Sequence, residues 1–231
     1  MKILIAVVLF SFFGNKCEIT KPEMEPQTYK YLALGDSYTI GESVSESERY
    51  PVQLKNRLLD KNIKIDSLKI IAKTGWTTDE LNDAINLENP SNDYDLVTLL
   101  IGVNNQYRGR SAESFRPEFI ELLNRAVGFA KGDSSRVIVI SIPDWGVTPF
   151  GDRDRRTPAE IGAEIDSYNS IKEEECLNRG IKYIHITDIS REAKTDMELL
   201  AFDQLHPSGK MYSLWVERIL PLAEEIFKES K

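Results

Sequence analysis

From Tyr29 onward, short apolar segments with strand character alternate with longer segments whose apolar residues recur at helical spacing. The third short segment, Leu96–Ile101, is the most apolar, as expected of a strand that is buried on both faces. Strands that alternate with helices form a parallel sheet covered by helices. The sequence therefore predicts an α/β fold, a three-layer sandwich around a central, mostly parallel five-stranded sheet. The five predicted strands are Tyr29–Leu34, Ile63–Ala72, Leu96–Ile101, Val137–Ile142 and Ile181–Thr187.

The segments between these strands carry signals for the starts and ends of helices. Thr157 and Glu160 have the spacing of a capping box, which predicts a helix start. Gly132 predicts the end of the helix that follows the third strand. The last helix carries the apolar residues of Met211–Ile226, and Pro221 predicts a kink within it.

The first residues of the chain differ from the rest. Lys2 precedes an apolar run, Ile3–Phe13, and small and polar residues follow. This order is typical of a secretory signal, and the run is well short of the roughly 20 apolar residues that cross a bilayer. A buried N-terminal strand or helix is the alternative interpretation.

Cys17 stands where a bacterial lipoprotein signal places its lipidated cysteine, although Lys16 occupies a position that usually holds a small residue. Simple cleavage nearby, or an incidental cysteine, are the alternatives to lipid attachment. We therefore expect an export segment at 1–17, a polar tether at 18–28 and one folded domain at 29–231. The expected location is periplasmic, secreted or anchored to a membrane through Cys17.

Charge and composition exclude several classes of function. The formal net charge is -8, and the basic residues are scattered, so a nucleic-acid partner is not expected. The chain has two cysteines, Cys17 and Cys176, which offer neither a disulfide framework nor a metal cluster. Because no residue grouping resembles a metal site or a phosphate loop, we predict no cofactor and no metal.

Four short blocks hold the residues that carry chemistry, and ligands of open parallel sheets bind beyond the carboxyl ends of the strands. Three blocks follow predicted strands and the fourth lies near the C-terminus. They are Gly35-Asp36-Ser37, Thr74-Gly75-Trp76-Thr77, Gly102-Val103-Asn104-Asn105 and Asp203-Gln204-Leu205-His206-Pro207.

In this order, the four blocks resemble those of the SGNH hydrolases, also called GDSL esterases and lipases, and the resemblance runs from Tyr29 to the end of the chain. It implies a flavodoxin-like fold and a serine esterase. By position, Ser37 corresponds to the nucleophile and His206 to its base. Asp203 corresponds to the carboxylate that orients the histidine, and Gly75 and Asn104 to donors of the oxyanion hole, together with the Ser37 N–H.

This sequence departs from the family pattern at two positions. Tyr38 replaces the leucine of the GDSL name, a change that leaves the chemistry intact. Asn105 replaces the aspartate that often follows the third-block asparagine, which bears on loop geometry and leaves the donor in place.

The residue types support the same roles independently. A serine hydroxyl becomes a good nucleophile when a neighbouring base takes its proton, and histidine suits that task near neutral pH. Of the two histidines, His185 lies within the predicted fifth strand, which favours a structural role, and His206 lies in a loop. The spacing from Asp203 to His206 lets the carboxylate reach one ring nitrogen while the other faces Ser37. The alternative role for Asp203 is a cap of the last helix.

Two donors and one further carboxylate also have simpler interpretations. Gly75 is alternatively a turn residue, and Asn104 alternatively caps a loop. Asp36 adjoins the serine, but neighbouring side chains in an extended turn point apart, so we expect Asp36 to have a structural role.

The substrate is the least constrained part of the prediction. The resemblance implies esters, thioesters, lysophospholipids or acetylated sugars, and the absence of an obvious large lid favours short acyl or acetyl esters of lipid, carbohydrate or other small molecules. Trp76, Trp145 and Arg153 are candidate substrate contacts, with loop or packing roles as alternatives. A lysophospholipase or thioesterase, and a binding protein without turnover, are the alternative functions. Nothing in the sequence predicts the oligomeric state.

Overall fold

The computed structural model describes residues 27–229, and five strands within this range form one sheet. Every neighbouring pair is parallel, and the order is β2-β1-β3-β4-β5, the order of flavodoxin-like sheets. The predicted fold class is confirmed. The strands are β1 (Thr28–Gly35), β2 (Lys64–Ala72), β3 (Leu96–Leu100), β4 (Val137–Ile140) and β5 (Lys182–Ile184).

Eight α-helices accompany the sheet within the described part of the chain. Helix α2 packs against α8, and α5 packs between α3 and α6. This grouping follows from right-handed crossovers, because the connection from β1 to β2 runs in the opposite direction across the sheet from the later connections. The helices are α1 (Ser37–Ile40), α2 (Tyr50–Leu59), α3 (Thr78–Glu88), α4 (Val103–Tyr107), α5 (Ala112–Phe129), α6 (Pro158–Leu177), α7 (Thr187–Arg191) and α8 (Gly209–Glu229).

The helix signals read from the sequence correspond to real boundaries. Thr157 and Glu160 form the capping box that opens α6, and the chain leaves α5 just before Gly132, which has a positive φ of 77°. Helix α8 continues through Pro221, so the proline does not end it. None of the helices between residues 27 and 229 combines the length and apolar character that a membrane span requires.

Strand β3 is buried at every residue, as its apolar sequence predicts. Its one polar side chain, Thr98, accepts or donates hydrogen bonds with the hydroxyls of Tyr31 and Tyr50 at 2.9 and 3.2 Å. The tyrosines therefore satisfy a buried hydroxyl that would otherwise destabilise the core.

The fifth strand is shorter than predicted, and the assignment of His185 to it is wrong. Ser141 N–H donates to the carbonyl of Ile184, and the Ser141 hydroxyl accepts from the backbone N–H of Ile186. Beyond Ile184, a side chain of the β4 segment therefore replaces the backbone partner that strand pairing would supply. The His185 side chain is 60% exposed and lies 3.1 Å from Glu173.

The C-terminal helix closes against the first segments of the fold. The Tyr212 hydroxyl of α8 donates to the carbonyl of Tyr38 in α1 at 3.0 Å, and Trp215 packs against Tyr38 and Tyr50. The start of α8 therefore meets α1 at the carboxyl edge of the sheet. The predicted export segment 1–17 and residues 18–26 of the predicted tether 18–28 lie outside the described residues, and Thr28 at the end of that tether is the first residue of β1.

Candidate active site

Ser37 is placed by a sharp turn at the end of β1. A side chain at Gly35 would collide with the Leu100 carbonyl and with Thr39, so only glycine fits there. Asp36 caps α1 by accepting a hydrogen bond from the Tyr38 N–H at 3.0 Å. Ser37 is the first residue of this short helix and is 5% exposed.

Asp36 is fully buried, and its second carboxylate oxygen has no hydrogen-bond partner within residues 27–229. Burial raises the pKa of Asp36 to about 7. The charge of Lys172, which is also fully buried, counteracts this rise. Asp36 therefore has the structural place that the sequence indicated, beneath the turn that holds Ser37.

Lys172 of α6 reaches the carboxyl ends of two strands. Its Nζ donates to the carbonyls of Ile101 and Ile140 at 3.2 and 2.8 Å, just after β3 and at the end of β4. Burial lowers the pKa of Lys172 to about 7. Lys172 thus links the carboxyl ends of β3 and β4 by hydrogen bonds, although burial disfavours its charged form.

Replacing Lys172 with methionine is expected to change how stability depends on pH. In the unfolded chain the lysine keeps its proton up to about pH 10.5, whereas in the folded chain it releases the proton near pH 7. Between these values the unfolded state binds more protons, so wild-type stability rises with pH, and this contribution is lost in Lys172→Met. From pH 7 to pH 9 we expect wild type to gain about 2 kcal/mol relative to the variant in urea unfolding.

Comparing the variant with wild type removes the pH dependence that the two proteins share, such as that of the buried tyrosines Tyr31 and Tyr212, whose pKa values burial raises. Lys64→Met, at an exposed lysine of β2, serves as the matched control and is expected to follow wild type. Parallel stability curves for wild type and Lys172→Met would contradict the prediction.

Asp203 and His206 form a hydrogen-bonded pair in the loop before α8. Asp203 Oδ2 lies 2.6 Å from His206 Nδ1, and Asp203 Oδ1 accepts from the N–H groups of Leu205 and His206, each at 3.0 Å. A third side chain, Ser43, donates to Oδ2 at 2.6 Å. The carboxylate therefore engages Nδ1 and leaves Nε2 as the free nitrogen of the ring.

The environment keeps Asp203 ionised. Burial raises its pKa, but the hydrogen bonds from Ser43, His206 and the backbone outweigh burial and hold the pKa at about 2. Asp203 does not cap the last helix, because the Ser208 hydroxyl accepts from Met211 N–H there. The Tyr38 ring lies edge-on to the imidazole of His206, with the ring centres 5.6 Å apart.

The loop after β2 meets the loop after β3 on the other side of Ser37. Gly75 adopts a positive φ of 87°, which favours glycine. Asn104 donates its side-chain N–H to the carbonyl of Trp76 at 2.9 Å, and Arg108 donates to the carbonyl of Gly75 at 2.7 Å. Two side chains thus hold the Gly75 loop against α4.

Asn105, which departs from the family pattern, is fully buried and also anchors this loop. Its oxygen accepts from Thr78 N–H at 3.1 Å, and its amide donates to the Thr78 hydroxyl at 2.6 Å. An amide can both donate and accept at one residue, whereas a carboxylate accepts only. An asparagine at position 105 can therefore bond both the N–H and the hydroxyl oxygen of Thr78, in the first turn of α3.

These segments surround a cavity of about 150 Å³. Its polar wall holds Ser37, Gly75, Asn104 and His206, and its other wall is apolar and aromatic. No hydrogen bond joins the Ser37 hydroxyl to His206 in the described part of the chain, and such bonds are often long in ligand-free enzymes. The lining residues are Ser37, Tyr38, Thr74, Gly75, Val103, Asn104, Tyr107, Trp145, Phe150, Leu205 and His206.

The three candidate substrate contacts fall in different places. Trp145 lines the cavity, whereas Trp76 packs its ring against the core and meets the site through its carbonyl. Arg153 is exposed and is not among the lining residues. Of the neighbouring arginines, Arg156 is the one that touches the site, with its guanidinium 5.3 Å from the centre of the Trp145 ring.

A hydrogen-bonded frame holds Trp145 in place. Its indole N–H donates to Gln106 Oε1 at 2.9 Å, and Gln106 Nε2 and Arg156 both donate to Glu164 at 2.5 and 2.8 Å. The ring of Tyr107 packs edge-on to Trp145, 5.4 Å away. The aromatic wall is therefore fixed before any ligand arrives.

Sequence reasoning missed several residues of the site. Tyr38 directly follows Ser37, so its place at the site is detectable from the sequence, but its replacement of leucine predicts no effect on the chemistry. Tyr107 follows the third block within one helical turn, which is a weaker signal. Ser43 carries no signal, since it reaches the site through a loop.

No group of three or more histidine, cysteine, aspartate or glutamate side chains is placed to hold a metal ion within residues 27–229. The chemistry that the arrangement supports uses a serine hydroxyl, a histidine with an oriented ring, and neutral donors. That set is the one that acyl transfer through a serine requires.

The order of the sheet is that of the flavodoxin-like class, and a serine, a histidine and an aspartate lie beyond its strands. The model of the GDSL-like lipase/acylhydrolase family matches residues 33–214, so the chain belongs to this family and is a carboxylic ester hydrolase. The sequence matches none of the curated proteins with which it was compared.

Solved structures share the fold at low sequence identity. A lipase/acylhydrolase from Enterococcus faecalis is 22% identical, with a TM-score of 0.63, over 84% of this chain and 94% of that one. The esterase EstA from Pseudoalteromonas sp. is 16% identical, with a TM-score of 0.59, over 87% and 99%. An acetylxylan esterase, Axe2, from Geobacillus stearothermophilus is 16% identical, with a TM-score of 0.62, over 84% and 94%.

Proposed function

We propose that this protein hydrolyses esters of short acyl chains through an acyl-enzyme on Ser37. The single observation that carries the proposal is the cavity of about 150 Å³, in which Ser37 and His206 face an apolar aromatic wall. The polar wall suits an ester carbonyl, and the aromatic wall suits its acyl chain.

The proposed reaction has two halves. His206 accepts the proton of the Ser37 hydroxyl as the oxygen attacks the ester carbonyl, and Asp203 stabilises the imidazolium that forms. The negative oxygen of the tetrahedral intermediate receives hydrogen bonds from the N–H groups of Ser37 and Gly75 and from the amide of Asn104. The intermediate collapses, and His206 returns the proton to the departing alcohol.

The second half repeats these roles with water. His206 takes a proton from water as the water oxygen attacks the acyl-enzyme carbonyl, and the same donors hold the second oxyanion. Collapse breaks the bond to the Ser37 oxygen, which recovers its proton from His206. The carboxylic acid leaves and the free enzyme is restored.

The size of the cavity limits the acyl group. An apolar cavity of about 150 Å³ in another protein holds a benzene molecule, that is, about six carbons. The rings of Tyr107, Trp145 and Phe150 pack against one another and form one aromatic wall of the cavity. Acyl groups from acetyl to about hexanoyl therefore fit within the cavity.

The test is hydrolysis of p-nitrophenyl esters with acyl chains from acetate to dodecanoate. We expect kcat/KM to peak at or below about six carbons and to be at least about tenfold lower for dodecanoate, because a longer chain leaves the cavity. A peak at the long esters would instead favour a lysophospholipase or long-chain thioesterase.

A fluorophosphonate probe, which labels activated serines, is used alongside the ester series. If the probe labels the protein but no ester is hydrolysed, Ser37 remains the proposed nucleophile and the tested esters are rejected as the substrate class. A protein that neither hydrolyses esters nor reacts with the probe would be a binding protein on this fold.

A further inference from the structure

Ser43 contacts the Asp203–His206 pair from a distant part of the chain. Its hydroxyl donates to Asp203 Oδ2 at 2.6 Å, across 160 residues of sequence. The same oxygen lies 2.6 Å from His206 Nδ1. Ser43 thus connects the segment that follows the nucleophile to the loop that holds the histidine.

With Ser43 in place, the carboxylate of Asp203 has donors at both oxygens. Oδ1 accepts from two backbone N–H groups, of Leu205 and His206, and Oδ2 accepts from Ser43 and from the imidazole. An ionised carboxylate has about four acceptor directions, and these four donors fill them. Rotation of the group about its axis would break several bonds at once.

The backbone at Ser43 has an unusual conformation. Its φ is 66°, in the left-handed region that side-chain-bearing residues rarely adopt. Such conformations persist where the surroundings determine them, and they cluster at functional sites. Here the conformation aims the hydroxyl at Asp203, and the chain has just left α1 through Gly41, which also has a positive φ.

We propose that Ser43 is a positioning residue, which acts through Asp203 to hold the His206 ring in the orientation needed for proton transfer with Ser37. This role rests on the proposed function. When the Ser43 hydroxyl is absent, Oδ2 keeps the imidazole as its one side-chain donor, and the carboxylate gains freedom to turn. The ring of His206 then loses orientation during the proton transfers, whereas the cavity that binds the ester is unchanged.

Two variants separate the hydroxyl from the backbone. Ser43→Ala removes the hydroxyl and keeps the unfavourable conformation, whereas Ser43→Gly removes the hydroxyl and tolerates that conformation. Ser47→Ala is the matched control, because Ser47 lies in the same segment, is exposed, and contacts Ser45 rather than the site.

We expect kcat to fall about tenfold in both Ser43 variants, with KM unchanged, because a hydrogen bond to a charged group is lost. Ser47→Ala is expected to keep the wild-type kcat. Wild-type kcat in both Ser43 variants would overturn the proposal. So would a wild-type kcat in Ser43→Gly alone, since the backbone would then be the cause, or an equal rise of KM, since Ser43 would then shape the cavity.

A double-mutant cycle tests whether Ser43 acts through Asp203. In an Asp203→Ala background, Ser43→Ala is expected to cause no further loss of kcat. A further tenfold loss there would overturn the proposed route. Failure of the two proposals is distinguishable: a wild type that neither hydrolyses esters nor takes the fluorophosphonate label rejects both, whereas an active wild type with unaffected Ser43 variants rejects only the role of Ser43.

Discussion

Replacing either Ser37 or His206 with alanine is expected to lower kcat by about 10⁴- to 10⁶-fold, and replacing both is expected to lower it no further. The two residues act as one unit, because the serine oxygen attacks only as the imidazole removes its proton. The measurement is hydrolysis of p-nitrophenyl butyrate by the two single variants and the double variant. Fluorophosphonate labelling of the same proteins reports on the nucleophile directly.

The chain supplies a matched control for the histidine. His185 is the only other histidine in the sequence, and it is exposed beside Glu173, away from the cavity lining. His185→Ala is expected to keep the wild-type rate. Losses in the two single variants that multiply in the double variant would contradict the mechanism, because they would show independent contributions from Ser37 and His206.

Replacing Asn104 with alanine is expected to lower kcat by about 10²- to 10³-fold, because removal of one oxyanion donor typically has that effect. Asn104 borders the cavity, and one of its two amide N–H bonds is directed to the carbonyl of Trp76. Its second N–H has no hydrogen-bond partner within residues 27–229 and can donate to the developing oxyanion. The measurement is kcat and KM on a short ester, with the loss expected mainly in kcat.

The alanine variant also releases the Trp76 carbonyl, so a second variant is needed to separate loop anchoring from oxyanion binding. Arg108→Ala breaks the bond to the Gly75 carbonyl of the same loop and removes no donor from the cavity lining. We expect less than about a tenfold loss for Arg108→Ala. Equal losses in Asn104→Ala and Arg108→Ala would mean that Asn104 acts by holding the loop.

Much of the fold could be predicted from the sequence, because the local segment patterns and the positions of the polar blocks both indicate the same parallel sheet. Strand-like and helical segments alternate regularly, and a parallel sheet gathers the residues that follow its strands at one edge. Ser37 and Asn104 follow β1 and β3, which are neighbours in the sheet, so their proximity follows from the topology. The contact between Asp203 and His206 follows from their spacing of three residues within one loop.

Other features depended on contacts that no local pattern contains. Ser43 adopts a left-handed backbone conformation and donates a hydrogen bond to Asp203. No sequence pattern around Ser43 predicts either the conformation or the contact. The two tryptophans look equivalent in the sequence, but a hydrogen bond from the indole N–H of Trp145 to Gln106 holds Trp145 at the cavity. The fifth strand ended early because the Ser141 hydroxyl replaced a backbone partner, which alternation of apolar residues does not reveal.

The contact between Tyr212 and Tyr38 has a consequence for the order in which activity arises. Ser37 comes from the first described strand and helix, and His206 comes after all five strands, just before α8. All five strands leave the ribosome before the histidine is made, so a shorter chain cannot contain the complete site. Because the contact between Tyr212 and Tyr38 joins the start of α8 to the helix that carries Ser37, the site is complete only when α8 has docked, and we expect hydrolysis of a short ester during refolding to appear together with that docking step.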